Sequence, residues 1–298
     1  MEYEDVKLFY DILHNPEKYI SVFHKKKRSS KGRVKYREII APNEDYKYIQ
    51  SKIYRYFIDE NPLPIHDTSY AWINGRSRDR CANMHIDNKY VLEIDIDDFF
   101  GNITKDKVEA LFIKNNIDNI LGLPIDDIIN ILLIRYKDRK RHLAQGFITS
   151  TYIANAARYE IDIDVNRLCI EKGLTYTNYG DNIVISGNFL DRDLTSSVID
   201  IISKHGYSAN PRKTKFMPYY REQRILGITI NKKIRVPKDY TNDIIGELVY
   251  RLKNNIEMDR SLKGKINTLR LNDNPRVFKY INKLSNKLEE QLYNESTY

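Results

Sequence analysis

The sequence predicts an α+β fold, on three observations. Val91-Leu92-Glu93-Ile94-Asp95-Ile96-Asp97-Asp98 alternates apolar and acidic residues with period two, the signature of a strand. Two more strand-like runs, Leu174 to Asn178 and Ile183 to Ser186, flank a tight-turn tetrad, Tyr179-Gly180-Asp181-Asn182. Helical spacing brackets these strands: apolar residues recur at Val6, Phe9, Tyr10 and Leu13, and again beyond Pro237 at Ile244, Ile245, Leu248 and Leu252, then Val277, Tyr280, Ile281 and Leu284.

In order along the chain, the first helix leads into a basic loop, Lys25 to Gly32, closed by Ser-Ser-Lys-Gly. Val34 to Ile40 reads as a strand, and Pro42 opens a turn into a helix from about Tyr46 to Ile58. The strand from Val91 places Leu92, Ile94 and Ile96 on one face and Glu93, Asp95 and Asp97 on the other. Like charges two apart repel and Asp is a poor strand former, so this is either an exposed strand end or a divalent-cation site. Thr149 to Lys172 reads as one long helix, capped by Thr149 or Ser150 and stopped by Gly173. In the tetrad, Gly180 fits the first central position of a type II′ turn, which carries the Asp181 carboxylate to the tip of a hairpin.

With 298 residues, 41% of them hydrophobic and 11% aromatic, the chain reads as a folded globular protein with one large core or two to three subdomains, and without a low-complexity linker. No apolar run approaches the length of a membrane span, and the acidic start Met1-Glu2-Tyr3-Glu4-Asp5 predicts neither export nor insertion. Cys81 and Cys169 stand far apart without paired spacing, which argues against a disulfide framework or a zinc site and predicts a reducing, cytoplasmic setting. A formal charge of +8 together with 23 tyrosines combines what phosphate tracking and base stacking need. The basic runs, His24 to Arg28, Arg135 to Arg141, Arg212 to Lys215 and Lys232-Lys233, are spread as in a lined channel, though each is equally a solvated face.

The order of motifs around the two acidic elements resembles that of bacterial reverse transcriptases, retrons most of all. Asp95-Ile96-Asp97-Asp98-Phe99-Phe100 resembles the first catalytic motif, an Asp followed five residues later by an aromatic. Gln145-Gly146 with Thr149-Ser150 and Asn155 resembles the motif opening the palm helix. Tyr179 to Asn182 resembles the Tyr-x-Asp-Asp loop, and Asn210-Pro211-Arg212-Lys213-Thr214 the Asn-x-x-Lys-Thr motif. Leu226-Gly227 occupies the place of the primer-grip hairpin, Arg37-Glu38-Ile39 with Pro42 and Gln50 resembles the fingers motif, and Cys81-Ala82-Asn83-Met84-His85 the retron Asn-Ala-x-x-His element.

The resemblance implies a right-hand polymerase fold: fingers over 1–90, palm over 91–236 with a fingers insertion at about 101–144, and a helical thumb over 237–298. It implies RNA-directed DNA synthesis by two-metal phosphoryl transfer, with Asp95, Asp181 and Asn182 catalytic and Asp95, Ile96, Asp181 and Asn182 holding two Mg²⁺ ions, or Mn²⁺ in their place. Arg37, Lys35, Phe100, Gln145, Gly146 and Lys213 would meet the incoming nucleotide. Phe100 would exclude a ribose 2′-hydroxyl and so select deoxynucleotides. Leu226 and Gly227 would grip the primer, and His85, Arg251, Lys253, Lys263 and Lys265 would contact RNA. The implied partners are a structured non-coding RNA that is partly copied, its DNA product, dNTPs and an effector protein in anti-phage defence, with no membrane.

Four departures from the pattern stand out. Cys81 replaces the Asn of the retron element, Leu226-Gly227 lacks a preceding Val-Thr, and Phe147, Ile148 and Thr151 stand where relatives have prolines or small residues. These point equally to related defence-associated reverse transcriptases. Asn182 replaces the second Asp of the loop: an amide keeps an oxygen ligand and loses a negative charge, which predicts a weaker metal site. It also leaves open a different class, an RNA-binding scaffold that keeps the fold with reduced or lost catalysis.

Overall fold

The computed structural model describes residues 1–28, 34–134, 140–269 and 275–295, and only the backbone at 25–28, 34–38, 275–278, 289 and 291–295. In chain order the first elements are α1 (Tyr3–His14), a 3-10 turn (Pro16–Lys18), β1 (Ile20–Arg28), β2 (Val34–Pro42), α2 (Glu44–Glu60), α3 (Arg78–Asn83), β3 (Tyr90–Asp95) and α4 (Phe99–Asn102). Then come α5 (Lys105–Lys114), β4 (Asn119–Ile120), β5 (Leu123–Pro124), α6 (Ile125–Leu132), β6 (Leu133–Ile134), β7 (His142–Leu143), α7 (Ile148–Ala157) and α8 (Tyr159–Glu171). The chain continues through β8 (Thr175–Tyr179), β9 (Asn182–Gly187), α9 (Leu194–Lys204), β10 (Lys215–Pro218), β11 (Arg224–Ile225) and β12 (Ile228–Thr229). Helices α10 (Lys238–Lys253), α11 (Arg260–Thr268) and α12 (Pro275–Glu295) complete it.

The central sheet has the strand order β10-β3-β9-β8, and β1-β2, β4-β5, β6-β7 and β11-β12 form antiparallel pairs. Two compact units emerge: Met1–Ser77 with Ile94–Ile183 and Asp191–Thr214, and Arg78–Glu93 with Val184–Leu190 and Lys215–Tyr298. Strands β3 and β9 each pass from one unit into the other.

In the first unit α2 begins at Asn43, whose side-chain oxygen accepts a hydrogen bond from the Tyr46 amide at 3.0 Å. It buries Tyr46, Ile49, Ile53 and Phe57 on one face. Phe57 stacks on Tyr152 of α7 at 4.8 Å, and Tyr46 meets Phe147 edge-on at 5.1 Å. Each such buried ring contributes about 1.5–3 kcal/mol. The same packing fixes α7, which leads to the candidate site.

Two expectations are corrected here. The basic stretch from Lys25 is strand as far as Arg28, because β1 pairs with β2 along its length, from Ile20 opposite Pro42 to Arg28 opposite Val34. The rest of that predicted loop, and residues 135–139 of the Arg135 to Arg141 run, lie outside the described residues. The single helix expected over Thr149–Lys172 is two, α7 and α8, broken at Arg158, and its N-cap is Phe147. No Pro or Gly marks the break. Arg158 stands at the junction with φ −94 and ψ −3, its side chain fully buried behind the turn described below. The stop at Gly173 holds, with φ +63.

The second unit has two cores. One gathers Ala82, Val91, Val184, Met217, Ile225, Ile228 and Ile230. The other joins the three C-terminal helices through Ile244, Leu248, Met258, Leu262, Leu269, Ile281 and Leu288. Gln223 ties the first together, its side-chain amide donating to the carbonyls of Asn88, Lys89 and Met217 at 3.0–3.3 Å. Among the described residues no helix is long and apolar enough to cross a membrane.

Candidate active site

Strand β3 is buried on both faces as far as Asp95, where the chain turns away from the sheet. The turn between β8 and β9 arrives beside that end: the Ile96 amide donates to the Asp181 carbonyl at 2.8 Å. One backbone hydrogen bond thus brings together two carboxylates 86 positions apart in sequence. Gly180 has φ +63 while Asp181 does not take positive φ, the combination of a type II′ turn, as the sequence predicts. A β-carbon at Gly180 would also crowd the Trp72 ring at 3.0 Å, so both the positive φ and this close approach favour glycine there.

A loop from α9 reaches the same place. The Asn210 amide donates to the Asp95 carbonyl at 2.7 Å, the Asp97 amide to the Ser208 carbonyl at 2.7 Å, and the Asn210 side chain to Asp97 Oδ1 at 3.0 Å. The Asn210 carbonyl then accepts from the amides of Lys213 and Thr214 and from the Thr214 hydroxyl, all at 3.1 Å. This closed turn is what the Asn-x-x-Lys-Thr spacing encodes. It delivers Lys213, whose Nζ lies 2.7 Å from both carboxylate oxygens of Asp95.

Asp95 is only 5% exposed. Burial, then the charges of Asp181 and Asp97, hold its carboxyl above the usual 3.8, against the opposing pull of Lys213. An acid raised by a neighbouring carboxylate at a strand end is a group that a cation would relieve. Among the described residues no three His, Cys, Asp or Glu side chains gather into a metal cluster. The donors at hand are therefore two carboxylates, backbone carbonyls and the Asn182 amide, all hard oxygens. That set fits Mg²⁺, which binds through one or two carboxylates and leaves its remaining positions to water and substrate phosphates. The Asn182 side chain donates its Nδ2 to Asp181 Oδ1 at 3.0 Å, an internal bond that a second carboxylate there would not make.

Behind the turn lies a buried network. Arg158 and Asp162, both without exposure, pair at 3.0 Å through the guanidinium Nε. Asp162 further accepts from the Tyr176 hydroxyl and, at 3.0 Å, from the Asn178 amide, and Ser69 closes the network at 2.9 Å from Asn178. Arg158 donates a second nitrogen to the Gly180 carbonyl of the turn. Burial and the Asp162 charge hold the Tyr176 phenol protonated far above its usual range.

The other predicted residues fall in several places. Phe100 is half-buried, edge-on to Trp72 at 5.7 Å. Gln145 accepts from the Ile40 amide of β2 at 3.3 Å, and a β-carbon at Gly146 would collide with the Ile40 carbonyl, so that glycine serves a close approach of the protein's own backbone. Lys35 and Arg37 lie on β2, opposite Lys27 and Lys25, and their side chains are outside the described residues. Leu226 and Gly227, with φ +51 and +77, form the two-residue turn of the β11-β12 hairpin in the second unit. Of the residues assigned to RNA, Lys253 and Lys263 are exposed, while Arg251 pairs with Glu247 and Asp259, and Lys265 with Glu247. His85 is corrected: it is buried, bonded to Ser186 at 2.7 Å and pushed down to about 3 by burial, which bars it from contact with RNA at the surface. Sequence reasoning passed over Trp72 and Arg158. The signals were a lone tryptophan before an Asn-Gly pair, and an Arg four residues ahead of an Asp on an apolar helix.

Two carboxylates, one at the end of a central strand and one at the tip of the adjoining hairpin, within an α+β fold, are the arrangement expected of a nucleic-acid polymerase. Residues 24–230 match the family of reverse transcriptases (RNA-dependent DNA polymerases), and the chain belongs to that family. Its curated relatives include the retron Ec48 reverse transcriptase of Escherichia coli, 31% identical over 193 residues, 63% of this chain and 44% of that protein. The retron Mx162 reverse transcriptase of Myxococcus xanthus is 25% identical over 245 residues, 73% of this chain and 50% of that protein. The retron Ec86 reverse transcriptase of Escherichia coli is 24% identical over 266 residues, 87% of this chain and 80% of that protein. The chain thus spans about half the length of several of the relatives it matches.

Proposed function

We propose that the chain is an RNA-directed DNA polymerase of retron type, which binds a structured non-coding RNA and copies part of it into DNA. The observation that carries this reading is the Ile96 to Asp181 hydrogen bond, which brings Asp95 and Asp181 into one site. Asp95, Asp181, the Ile96 carbonyl and Asn182 would hold two Mg²⁺ ions, or Mn²⁺ in their place. Such ions activate the attacking hydroxyl and stabilise the leaving pyrophosphate.

The protein's own residues do the rest. Lys213 exchanges Asp95 for the triphosphate, its flexible stem and half-exposed head suiting it to move. Phe100 walls the sugar and selects deoxynucleotides, while Arg37, Lys35, Gln145 and Gly146 line the nucleotide's path. Residues 1–90 act as fingers, 91–236 as palm and 237–298 as thumb. The β11-β12 turn grips the primer. Lys253, Lys263, Arg251 and Lys265 supply the RNA contacts of the thumb, Arg251 and Lys265 exchanging their acidic partners for phosphates. A link to anti-phage defence through an effector protein is part of the same reading, and follows from the motif resemblance to retrons described above.

The test is extension of a primed RNA template with Mg²⁺. Deoxynucleotides should be incorporated in preference to ribonucleotides, and RNA affinity should drop by about 10³ or more between roughly 50 and 200 mM salt if six or more phosphates are held. A folded protein that makes no DNA on any primed RNA, with either metal, overturns the proposal.

A further inference from the structure

The polymerase reading assigns no role to Trp72, yet the structure treats this residue as part of the site. Its indole is 41% exposed, a large apolar surface to leave in water, and its edge covers Gly180 next to Asp181. The ring also meets Phe100 edge-on, with centroids 5.7 Å apart and planes at 85°. Trp72 therefore joins the two motif residues that would flank a nucleotide.

Its placement is enforced. Residues 68–71 are laid beside β8: the Asn178 amide donates to the Thr68 carbonyl at 2.9 Å, and the Tyr70 amide to the Asn178 carbonyl at 3.0 Å. The buried Asn155 side chain donates to the Ala71 carbonyl at 2.8 Å. Arg76 clasps the carbonyls of Asp67 and Ser69 at 2.6 Å each. Trp72 itself has φ +58, the left-handed region that a bulky side chain adopts only when its surroundings impose it. A costly backbone conformation that holds a partly exposed indole beside a carboxylate pair indicates a ligand with a flat π-surface.

We infer that Trp72 is a base-stacking residue of the active site, which positions a nucleobase against the Phe100 and Gly180 walls. This rests on the polymerase reading for the identity of the site and assigns its recognition of the base. The flat face accepts any base, from either an incoming nucleotide or the paired template strand, so it contributes affinity and alignment and no sequence preference.

Trp72 is the only tryptophan in the chain, so fluorescence excited at the red edge of the tryptophan band, where the 23 tyrosines do not absorb, reports on this residue alone. With the full chain, titration with a dNTP, with a primed RNA template, and with both should quench the emission; the arm that quenches identifies the source of the base. Inorganic triphosphate and a template abasic at the first copied position should not quench. Trp72→Ala should weaken binding in the quenching arm by about 5- to 150-fold, read by filter binding, with inorganic triphosphate unaffected. Trp72→Phe should restore most of the loss, which a merely structural role of the indole does not predict unless unfolding midpoints change in parallel. Quenching without DNA synthesis would overturn the polymerase reading and leave the stacking role standing. DNA synthesis with unquenched emission in all arms, or equal losses for base-bearing and base-free ligands in Trp72→Ala, would overturn the stacking role.

Discussion

The turn at Asp181 lies between two acid-base pairs that look alike in sequence and differ in physics. Behind it, Arg158 and Asp162 have no exposure, and Asp162 is saturated with donors from Arg158, Tyr176 and Asn178. In front, Asp95 meets a single lysine whose side chain is 49% exposed, and its carboxyl is raised by burial and by other acids. The rear pair uses the rigid, planar guanidinium and is locked. The front pair uses a hydrated, flexible ammonium and can open. A locked pair fixes geometry, whereas an exchangeable one can free its carboxylate for a metal and its ammonium for a phosphate.

The largest expected effect lies in front. Asp95→Asn should reduce deoxynucleotide incorporation by about 10³-fold or more, because carboxylate-held metal accounts for several kcal/mol of transition-state stabilisation. Circular dichroism should show an intact fold. Full activity in that variant would make the front pair as structural as the rear one. Next comes the rear pair. Arg158→Met leaves the Asp162 charge buried and unpaired and should cost about 3–5 kcal/mol in urea unfolding. An unchanged midpoint would mean that the network is not what holds the turn. A smaller change is expected from Asn182→Asp: the Mg²⁺ concentration for half-maximal extension should drop on the order of tenfold, since ligand charge count tunes affinity at oxygen sites. An unchanged requirement would place position 182 outside the metal sphere.

The front of this site was far more legible in the sequence than the back. Asp95, Gly180, Asp181 and Lys213 sit in short local patterns, a period-two strand, a hairpin turn and a closed Asn-initiated turn, each of which fixes its own geometry. Arg158 shows only an i,i+4 charge pair with Asp162, a pattern that ordinarily marks a solvated helix face and does not announce burial. Its burial depends on contacts with residues 4, 18 and 22 positions away, and the helix break at this residue has neither Pro nor Gly to announce it. Trp72 is placed by non-local bonds to Asn155 and Asn178 through its neighbours. His85 failed for the converse reason: a polar residue in a motif reads as a contact, and only the fold shows that Ser186 satisfies it in the interior.

The finest distinction between the two pairs is the sign of one substitution made twice. The Asp95 carboxyl is raised above 3.8 in the folded protein, so the folded state disfavours its ionised form relative to the unfolded chain. The stability that accompanies its protonated form is complete below 3.8 and is lost as pH rises through the raised value. Asn at position 95 is neutral throughout, so Asp95→Asn should unfold at higher urea than the wild type at pH 7, and the gain should shrink as pH falls toward 4. Lys213 loses a partner in that variant, but its half-exposed ammonium rehydrates at little cost. Asp162→Asn leaves the fully buried Arg158 guanidinium without its counter-ion and should lower the midpoint at pH 7. Opposite signs for the same change, Asp to Asn on either side of one turn, follow only if the front pair is held for reactivity at the expense of stability. A lowered midpoint for both variants would erase the distinction.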